Sequence, residues 1–319
     1  MGASLRILFT GASSFTGFWF ARRLAEAGHE VTCLFTRPGV ESYADVRRAR
    51  VERLLALPGI VPVWGARLED PLPAARLPGR GGFDVLCHHA AEVQDYKNPH
   101  FDPLRAAAAG AAGVSSWLDS EAGKSVRTVV FSGTYFESGE GSEGRSARAF
   151  SPYAVSKTLA GELVRFQAQS RGLGFVRFVM PNPFGPYEER GFTRYLATEW
   201  LAGRTPSVKT PDYWRDNMPV PMMAGAYRDA VEAAAARPEY RCVTPSGYTV
   251  SQGEFALEFA ARLRPHLGAC PLKLEVQSNF PEPRVRVNAA PGGRPAWSAA
   301  EADAFWAETA AFYQETRSA

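Results

Sequence analysis

The sequence predicts an α/β fold built on a doubly wound parallel sheet, with a smaller C-terminal lobe. Two observations support this prediction. Short apolar runs alternate with helix-like segments through the first 180 residues, which is the pattern of a parallel sheet covered by helices on both faces. Beyond that point, seven prolines between Pro181 and Pro221 divide the chain into loops and short elements, which suit a separate lobe better than a sheet core.

The strands and helices can be assigned in chain order from the apolar periodicity. We predict strands at residues 5–9, 31–35, 60–64, 83–88, 128–131 and 175–180. Helices are predicted at residues 18–27, 102–120 and 153–169, and Gly28 is a natural C-terminal cap for the first of them. The first two strands and the helix between them form a βαβ unit at the start of the chain.

Composition excludes several classes of protein. The net charge of +3 is small and the basic residues are dispersed, so we expect no nucleic-acid partner. No apolar stretch is long enough to span a membrane and no signal peptide is evident, so we expect a cytoplasmic protein with no membrane partner. None of the four cysteines has metal-ligand spacing, so we predict no metal. Cys33 and Cys87 lie in apolar runs and are expected to be buried thiols.

A glycine turn, Thr10-Gly11-Ala12-Ser13-Ser14-Phe15-Thr16-Gly17, follows the first predicted strand. A dinucleotide pyrophosphate needs a helix N-terminus with exposed N–H groups and a turn without bulky side chains. Gly11 and Gly17 allow a tight turn and close helix–strand packing. Ser14 stands where a middle glycine is usual, and its hydroxyl is able to donate to a phosphate. The turn therefore predicts a Rossmann-type dinucleotide site with contacts from Gly11, Ser14, Phe15, Thr16 and Gly17.

The end of the second predicted strand bears on which nicotinamide cofactor is bound. An NAD site usually has an acidic residue there, bound to the ribose 2′-hydroxyl, but Phe35-Thr36-Arg37-Pro38 has no carboxylate. An arginine in this place can pair with a 2′-phosphate instead. We therefore expect NADP, with NAD as the alternative, and we place Thr36 and Arg37 at the cofactor.

A tyrosine and a lysine lie four residues apart in Ser151-Pro152-Tyr153-Ala154-Val155-Ser156-Lys157. Residues at this spacing share one face of a helix, for which Ser151 is a plausible N-cap. An ammonium close to a phenol favours the phenolate, which can then exchange a proton with a substrate hydroxyl during hydride transfer. Tyr153 and Lys157 are therefore predicted to be catalytic and to contact the cofactor.

A serine or threonine at the end of the preceding strand usually completes such a site. The segment there is Phe131-Ser132-Gly133-Thr134-Tyr135-Phe136. We predict that Thr134 bonds to the substrate oxygen, and Ser132 is the alternative because the length of this turn is uncertain from the sequence.

Together with further motifs, these residues make the chain resemble the extended short-chain dehydrogenases, specifically the nucleotide-sugar epimerase/dehydratase family, over nearly its whole length. His88-His89-Ala90-Ala91 resembles the family's H-x-A-A segment near the cofactor ribose. Pro181-Asn182-Pro183-Phe184-Gly185-Pro186 resembles N-x-[YF]-G-P, and Arg215-Asp216-Asn217-Met218-Pro219-Val220 resembles R-D-[FW]-x-x-V. In the family, that asparagine contacts the sugar diphosphate and that arginine contacts the nucleotide phosphate.

The resemblance implies further site residues. Asn182 and Arg215 are expected to bind substrate, a nucleotide-diphosphate sugar. The cofactor is expected to contact Leu68, His89, Ala90, Ala91 and Pro181. Residues 1–180 are then mainly the dinucleotide-binding Rossmann domain and residues 181–319 mainly the substrate-binding lobe, with some return of the chain to the sheet. We also expect a homodimer.

The resemblance also narrows the reaction. The family's 4,6-dehydratases often carry an acid pair directly after the threonine, whereas Tyr135 and Phe136 occupy those places here. An epimerase or a 4-ketoreductase is therefore expected. Both reactions remain possible, because Arg37 favours NADPH and hence a reductase, whereas the family resemblance favours an epimerase. The alternatives are a nucleotide-sugar dehydratase and a reductase of a non-nucleotide carbonyl. A cofactor sensor without activity is disfavoured, since it would not need Tyr153 and Lys157.

Overall fold

The computed structural model of the protein describes residues 4–70, 77, 82–91, 98, 100–141 and 147–316. The chain divides into two compact units. The first unit comprises residues 1–140, 146–180 and 224–244, and the second comprises residues 141–145, 181–223 and 245–319.

The first unit is built on a parallel sheet. Its strands in the described chain are β1 (Arg6–Thr10), β2 (Glu30–Phe35), β3 (Ile60–Trp64), β4 (Val85–His88), β5 (Thr128–Thr134), β6 (Gly174–Met180) and β10 (Tyr240–Val243). Their order across the sheet is β10-β6-β5-β4-β1-β2-β3, and every neighbouring pair is parallel. The order reverses direction between β1 and β4, where the two halves of a doubly wound sheet meet.

Helices connect these strands. They are α1 (Phe15–Glu26), α2 (Asp45–Leu55), α3 (Pro103–Ala111), α4 (Val114–Leu118), α5 (Pro152–Gln169) and α7 (Val220–Ala236), with a short 3₁₀ turn at Val40–Ser42. Most of α7 belongs to the first unit. Side chains cap several helices: Asp102 accepts from the N–H groups of Leu104 and Arg105 at the start of α3.

The predicted fold class and all six predicted strands are confirmed. The long helix predicted over residues 102–120 is wrong, because α3 ends at Ala111 and α4 begins at Val114. Gly113 lies between them with φ +74°, in the left-handed region that ends helices. Helix α1 begins three residues earlier than predicted, and the polar helix α2 and the strand β10 were not predicted.

The core of the first unit lies on both faces of the sheet. Cys33 and Cys87 are fully buried free thiols, as predicted. Burial raises the pKa of Cys87 to about 12 and that of Cys33 further, so neither is a reactive thiolate. On one face, Phe20 of α1 stacks on Tyr227 of α7 with ring centroids 4.1 Å apart.

The second unit contains smaller sheets and three helices of the described chain. These elements are β7 (Asn182–Phe184), α6 (Phe192–Leu201), β8 (Ser207–Val208), β9 (Trp214–Pro219), β11 (Tyr248–Ser251), α8 (Gln252–Leu267), β12 (Lys273–Leu274), β13 (Val285–Arg286) and α9 (Ala299–Glu315). Strand β9 pairs with β7 and β13 in parallel and with β11 antiparallel.

Aromatic packing holds the second unit together. Phe184 of β7 contacts Phe255 and Phe259 of α8 and Phe305 and Trp306 of α9, with ring centroids 5.2 to 6.0 Å apart. Both helices begin with a capping box. No helix in the described parts of the chain is long and apolar enough to cross a membrane.

Candidate active site

The glycine turn joins β1 to α1 and has no room for side chains at its two glycines. Gly11 has φ +82°, and a Cβ there would lie 3.0 Å from the backbone nitrogen of Ala90. A Cβ on Gly17 would lie 2.2 Å from the Gly11 carbonyl oxygen. The first turn of α1 therefore packs directly on the β1–α1 turn, and this geometry fits a pyrophosphate against the helix N-terminus.

Ser14 is the N-cap of α1. Its hydroxyl donates to the Gly11 carbonyl oxygen at 2.8 Å and accepts from the Gly17 N–H at 3.1 Å. The hydroxyl proton is therefore used inside the turn, rather than pointing outward as the expected phosphate donor. Ser14 has an extended backbone, φ −73° and ψ 167°, so the middle position of the turn does not require glycine here.

Arg50 of α2 supports the same turn and was missed from the sequence. Its guanidinium is fully buried and donates from Nε and Nη2 to the Ser13 carbonyl oxygen, at 3.1 and 2.9 Å. A buried arginine in a polar helix is visible in the sequence only as one of four arginines between residues 47 and 53. Nothing in the helix pattern distinguishes it from its exposed neighbours.

A cleft lies at the carboxyl ends of β1 to β4, where a doubly wound sheet binds its ligand. Several predicted cofactor residues line it: Gly11, Thr36, Leu68, Ala90 and Ala91. Arg67 and Glu69 also line it and were not predicted. Arg37 is exposed beside Thr36, and its carbonyl oxygen accepts from the Gly65 N–H at 2.8 Å.

His89 is the centre of a buried network rather than an exposed ligand. Its Nε2 lies 3.0 Å from Thr16 Oγ1 and its Nδ1 lies 2.7 Å from Ser132 Oγ. Burial lowers the pKa of His89 to about 3, and the charge of Lys157 adds to this effect, so the imidazole is neutral. The network ties the first turn of α1 to β5 through the end of β4.

Ser132 and Thr134 have different surroundings, although both are buried in β5. Ser132 Oγ is engaged with His89. Thr134 is the last residue of β5, its N–H donates to Glu137 Oε1 at 2.7 Å, and its hydroxyl accepts from the Phe136 N–H at 3.4 Å. Of these two residues, Thr134 is the one at the end of the strand, where we expect the substrate oxygen from the sequence.

Helix α5 carries Tyr153 and Lys157 one turn apart, as predicted. Ser151 caps the helix by accepting from the Ala154 N–H at 3.2 Å, and Pro152 occupies its first position. Tyr153 is half-buried. Lys157 is buried, with Nζ 4.3 Å from the centroid of the Phe131 ring.

Burial gives Lys157 an unusual ionisation. It lowers the pKa of Lys157 to about 8, while the negative charge of Glu137 opposes the fall and the positive charge of Arg177 adds to it. The ammonium therefore persists at neutral pH, but its ionisation lies close to the working range of an enzyme.

The predicted substrate residues lie on neighbouring strands of the second unit. Asn182 of β7 is in register with Asn217 of β9, and its Nδ2 donates to Asn217 Oδ1 at 3.5 Å. Arg215 is two residues before Asn217, on the same face of β9. The structure thus brings Asn182 and Arg215 into one small sheet, although 32 positions separate them in the sequence.

Arg215 is more enclosed than the sequence suggests. Its guanidinium is buried, forms an ion pair with Glu282 at 3.0 Å, and lies 4.3 Å from the centroid of the Tyr213 ring. Its Nη1 also donates to the carbonyl oxygens of Trp214, Pro283 and Arg284. Glu282, with a side chain that is 47% exposed, is the half-exposed partner of this set.

A second buried arginine accompanies Arg215 and was missed from the sequence. Arg286 of β13 is in register with Arg215 in the parallel β9–β13 pair, and its side chain is 1% exposed. The two arginines therefore lie side by side in this small sheet, and Arg215 is paired with Glu282. Only the pairing of β13 with β9, across 70 residues, places them together.

A helix N-terminus shaped for a pyrophosphate and a Tyr–Lys helix in the same unit are the features of a short-chain dehydrogenase-type enzyme. A family model agrees with this class. The model of the NAD-dependent epimerase/dehydratase family matches residues 7–240, and the chain belongs to this family. Among the residues that the structure describes, no group of His, Cys, Asp or Glu side chains is arranged to hold a metal ion.

Solved structures resemble the chain along its whole length. A UDP-N-acetylglucosamine 4-epimerase from Methanobrevibacter ruminantium M1 is 15% identical, with 99% of this chain and 100% of that chain covered and a TM-score of 0.73. A UDP-glucose 4-epimerase from Stenotrophomonas maltophila with bound NAD is 20% identical, with 99% and 100% covered and a TM-score of 0.73.

A dTDP-glucose 4,6-dehydratase from Streptomyces venezuelae with bound NAD is also 20% identical, with 98% of each chain covered and a TM-score of 0.73. A search of curated protein sequences found no match. At these identities the structural likeness establishes the fold, and the residues of the site carry the argument about chemistry.

Proposed function

We propose that the protein oxidises and reduces a nucleotide-activated sugar with a nicotinamide cofactor, as an epimerase or a 4-ketoreductase. The observation that carries this proposal is the buried Lys157, one helical turn from Tyr153 in a unit that also holds the glycine turn. The family match supports the reaction class, and the epimerases and the dehydratase among the similar structures support the substrate class.

Three side chains have distinct roles in the proposed reaction. Tyr153 gives or takes the proton of the sugar hydroxyl, and the Lys157 ammonium stabilises the phenolate between the two transfers. Thr134, at the end of β5, bonds to the reacting oxygen and orients it. The bound nicotinamide supplies or accepts the hydride.

Residues of the first unit fit the dinucleotide. Gly11 and Gly17 leave the start of α1 open to a pyrophosphate, while Leu68, Ala90 and Ala91 line the cleft beside them. Thr16 and His89 contact each other beside this site, and the Ser14 hydroxyl stabilises the turn by accepting from the Gly17 N–H. Phe15, Thr36 and Pro181 complete the proposed cofactor contacts.

Elimination of water is disfavoured by the surroundings of Thr134. A dehydratase needs an available acid and base next to the sugar, and residues 135 and 136 are aromatic here. The nearest following carboxylate, Glu137, is fully buried and bound to Arg177 Nη1 at 3.0 Å and to the Thr134 N–H. It is therefore held in place and not able to move a proton at the substrate.

We propose that NADP(H) is preferred over NAD(H). Arg37 follows β2 beside the cleft residue Thr36 and is the cation that carries this proposal, because Arg67, which lines the cleft after β3, lies 3.7 Å from the Glu69 carboxylate. A 2′-phosphate binds such cations, whereas a 2′-hydroxyl needs an acidic partner. The family's description and the neighbouring structures name NAD, so this preference would distinguish the chain from those relatives.

We propose that the second unit binds a nucleoside diphosphate. Arg215 and Arg286 supply charge and Asn182 supplies an amide on the adjoining strands. The Arg215→Ala variant should lose at least tenfold in affinity for the best of UDP, dTDP, GDP and CDP, with cofactor affinity unchanged. Isothermal titration calorimetry measures nucleotide affinity on the cofactor-loaded protein and cofactor affinity on the cofactor-free protein.

The matched control is Arg284→Ala, which removes an exposed arginine of the same segment, packed on Phe280. It should leave nucleotide affinity within about twofold of the unmodified protein. If no nucleotide binds, or if the two variants bind equally well, the alternative of a reductase for a non-nucleotide carbonyl takes precedence, because such a substrate needs no pyrophosphate site.

We also propose a homodimer formed through α5. Leu159, Leu163 and Phe166 are exposed at a spacing that places them on one face of this helix, and Leu104 is exposed on the adjoining α3. An apolar stripe on one helix is self-complementary about a two-fold axis, so its fitting occupant is a second copy of the chain. Light scattering should show a dimer that Phe166→Glu converts to a monomer.

A further inference from the structure

The carboxylate of Glu137 occupies the turn that follows β5, next to Thr134 of the proposed proton-transfer site. Its side chain is 0% exposed. Oε1 accepts from the Thr134 N–H at 2.7 Å, and Oε2 accepts from Arg177 Nη1 at 3.0 Å. The backbone is adapted to it, because a Cβ on Gly133 would lie 2.8 Å from Oε1.

Arg177 of β6 connects this carboxylate to helix α5. Its Nη2 donates to Glu162 Oε1 at 2.6 Å, and the guanidinium is so close to α5 that a Cβ on Gly161 would lie 3.0 Å from Nη2. Glu162 differs from Glu137 in exposure, with a side chain that is 47% exposed. Arg177 therefore has one buried and one solvated counter-ion.

Lys157 responds electrostatically to both charges of the buried pair. Glu137 acts to raise the pKa of Lys157 and Arg177 acts to lower it. His88 of β4 and His89 directly after it also lie near Lys157, and burial and the Lys157 charge keep both neutral, with pKa values of about 4 and about 3. Glu140 acts on Glu137 and Arg177. Without Glu137, the charges of Lys157 and Arg177 would lose their fully buried counter-charge, and the half-exposed Glu162 would balance them less effectively.

We infer that Glu137 is a positioning residue, which fixes the Thr134 turn and supplies the buried counter-charge for Lys157 and Arg177. The inference rests on the proposed proton-transfer role of Tyr153 and Lys157. Glu137 does not contact the substrate in this account, because Thr134 and Arg177 use both of its oxygens. Its removal should shift the ionisation of the site as well as slow turnover.

The test is a titration of Lys157 in the full-length protein, which needs no substrate. The ¹³C NMR signal of the Lys157 side chain, identified by its loss in Lys157→Met, reports ionisation of this ammonium. Glu137→Gln removes the negative charge that favours the ammonium, so Lys157 should lose its proton about 1 pH unit lower than in the unmodified protein. The pH profile of kcat, once a substrate is found, should move in the same direction.

Glu162→Gln is the matched control, since it removes the solvated partner of the same arginine and should shift the titration by less than half as much. If Glu137→Gln fails to fold, Glu137→Asp can be used instead. Its side chain is one methylene shorter, so the carboxylate lies further from its partners, and the titration should shift less but with the same sign. An unshifted titration, or an equal shift in Glu162→Gln, would overturn the inference. Lack of turnover with nucleotide sugars would overturn the proposed function while leaving the titration result intact.

Discussion

The proposed chemistry depends most on Lys157. The side chain is buried, yet it keeps a pKa of about 8 because Glu137 offsets part of the cost of burying its charge. A lysine that is protonated at neutral pH and has its pKa close to the working pH of an enzyme is suited to stabilise a phenolate. A lysine on an exposed helix face would keep its ordinary, higher pKa, so the burial of Lys157 distinguishes this pair from a chance tyrosine–lysine spacing.

Ser132 and Thr134 should respond differently to loss of the hydroxyl. Thr134→Val should lower kcat by roughly 10²-fold, because the oxygen that orients the substrate is removed. Ser132→Ala should leave kcat within a few-fold but reduce the free energy of unfolding by about 1–3 kcal/mol, because His89 Nδ1 loses its buried partner. Steady-state kinetics and urea unfolding on both variants check this. The reverse pattern would make Ser132 the catalytic hydroxyl.

Among the structural elements, helix α9 is held to the second unit by an unusual carboxylic acid. Glu188 follows β7 and is 1% exposed; Thr193 of α6 and Tyr313 of α9 donate to it. Burial raises the pKa of Glu188 to about 7, against an ordinary value of 4.5. Below about pH 7 the protonated acid is therefore the main form in the folded protein, and the nearby Arg194 only partly offsets the cost of ionisation.

Stability should therefore decline between pH 5 and pH 8. An acid whose pKa is raised by folding contributes stability that is fully present below its unfolded value and is lost as the pH rises through about 7. The shift corresponds to about 3 kcal/mol. Glu188→Gln should remove this decline, so that the variant gains stability relative to the unmodified protein as the pH rises. Urea unfolding at both pH values measures it, with Glu189→Gln, an exposed neighbour, as the control. Parallel pH profiles for all three proteins would contradict the assignment.

Across the whole molecule, hydrophobic periodicity and capping residues predicted the features that depend on residues close together in the sequence. The apolar runs marked β1 to β6 because these strands are buried on both faces of the sheet, except β3, which lies at its edge and is only partly buried, and the cap at Ser151 marked α5. The break at Gly113 was missed because a glycine within a helical pattern does not reveal its φ. Arg50, Glu137 and Arg286 were missed for another reason: each acquires its place from a contact with a distant strand or turn, and no spacing in the sequence encodes that contact.

Cofactor preference is a property of the assembled cleft, which combines the ends of β2 and β3. The unmodified protein should bind NADP(H) more tightly than NAD(H), and Arg37→Asp should reverse or abolish the preference. A charge-assisted contact with a 2′-phosphate contributes about 1.5–3 kcal/mol, which corresponds to roughly 10- to 150-fold in affinity. Fluorescence titration of both reduced cofactors measures it. Tighter binding of NAD by the unmodified protein would favour the epimerase over the reductase.

The central claim is that Tyr153 moves the proton in oxidation–reduction of a nucleotide sugar. The most direct measurement offers the protein UDP-, dTDP-, GDP- and CDP-sugars with NAD(H) or NADP(H), and follows the sugars by NMR and the cofactor by absorbance. The account predicts turnover of at least one sugar, a fall of about 10²–10⁴-fold in kcat for Tyr153→Phe, and nearly unchanged cofactor affinity. Near-normal kcat in Tyr153→Phe, or no reaction with any nucleotide sugar under conditions where the cofactor binds, would contradict it.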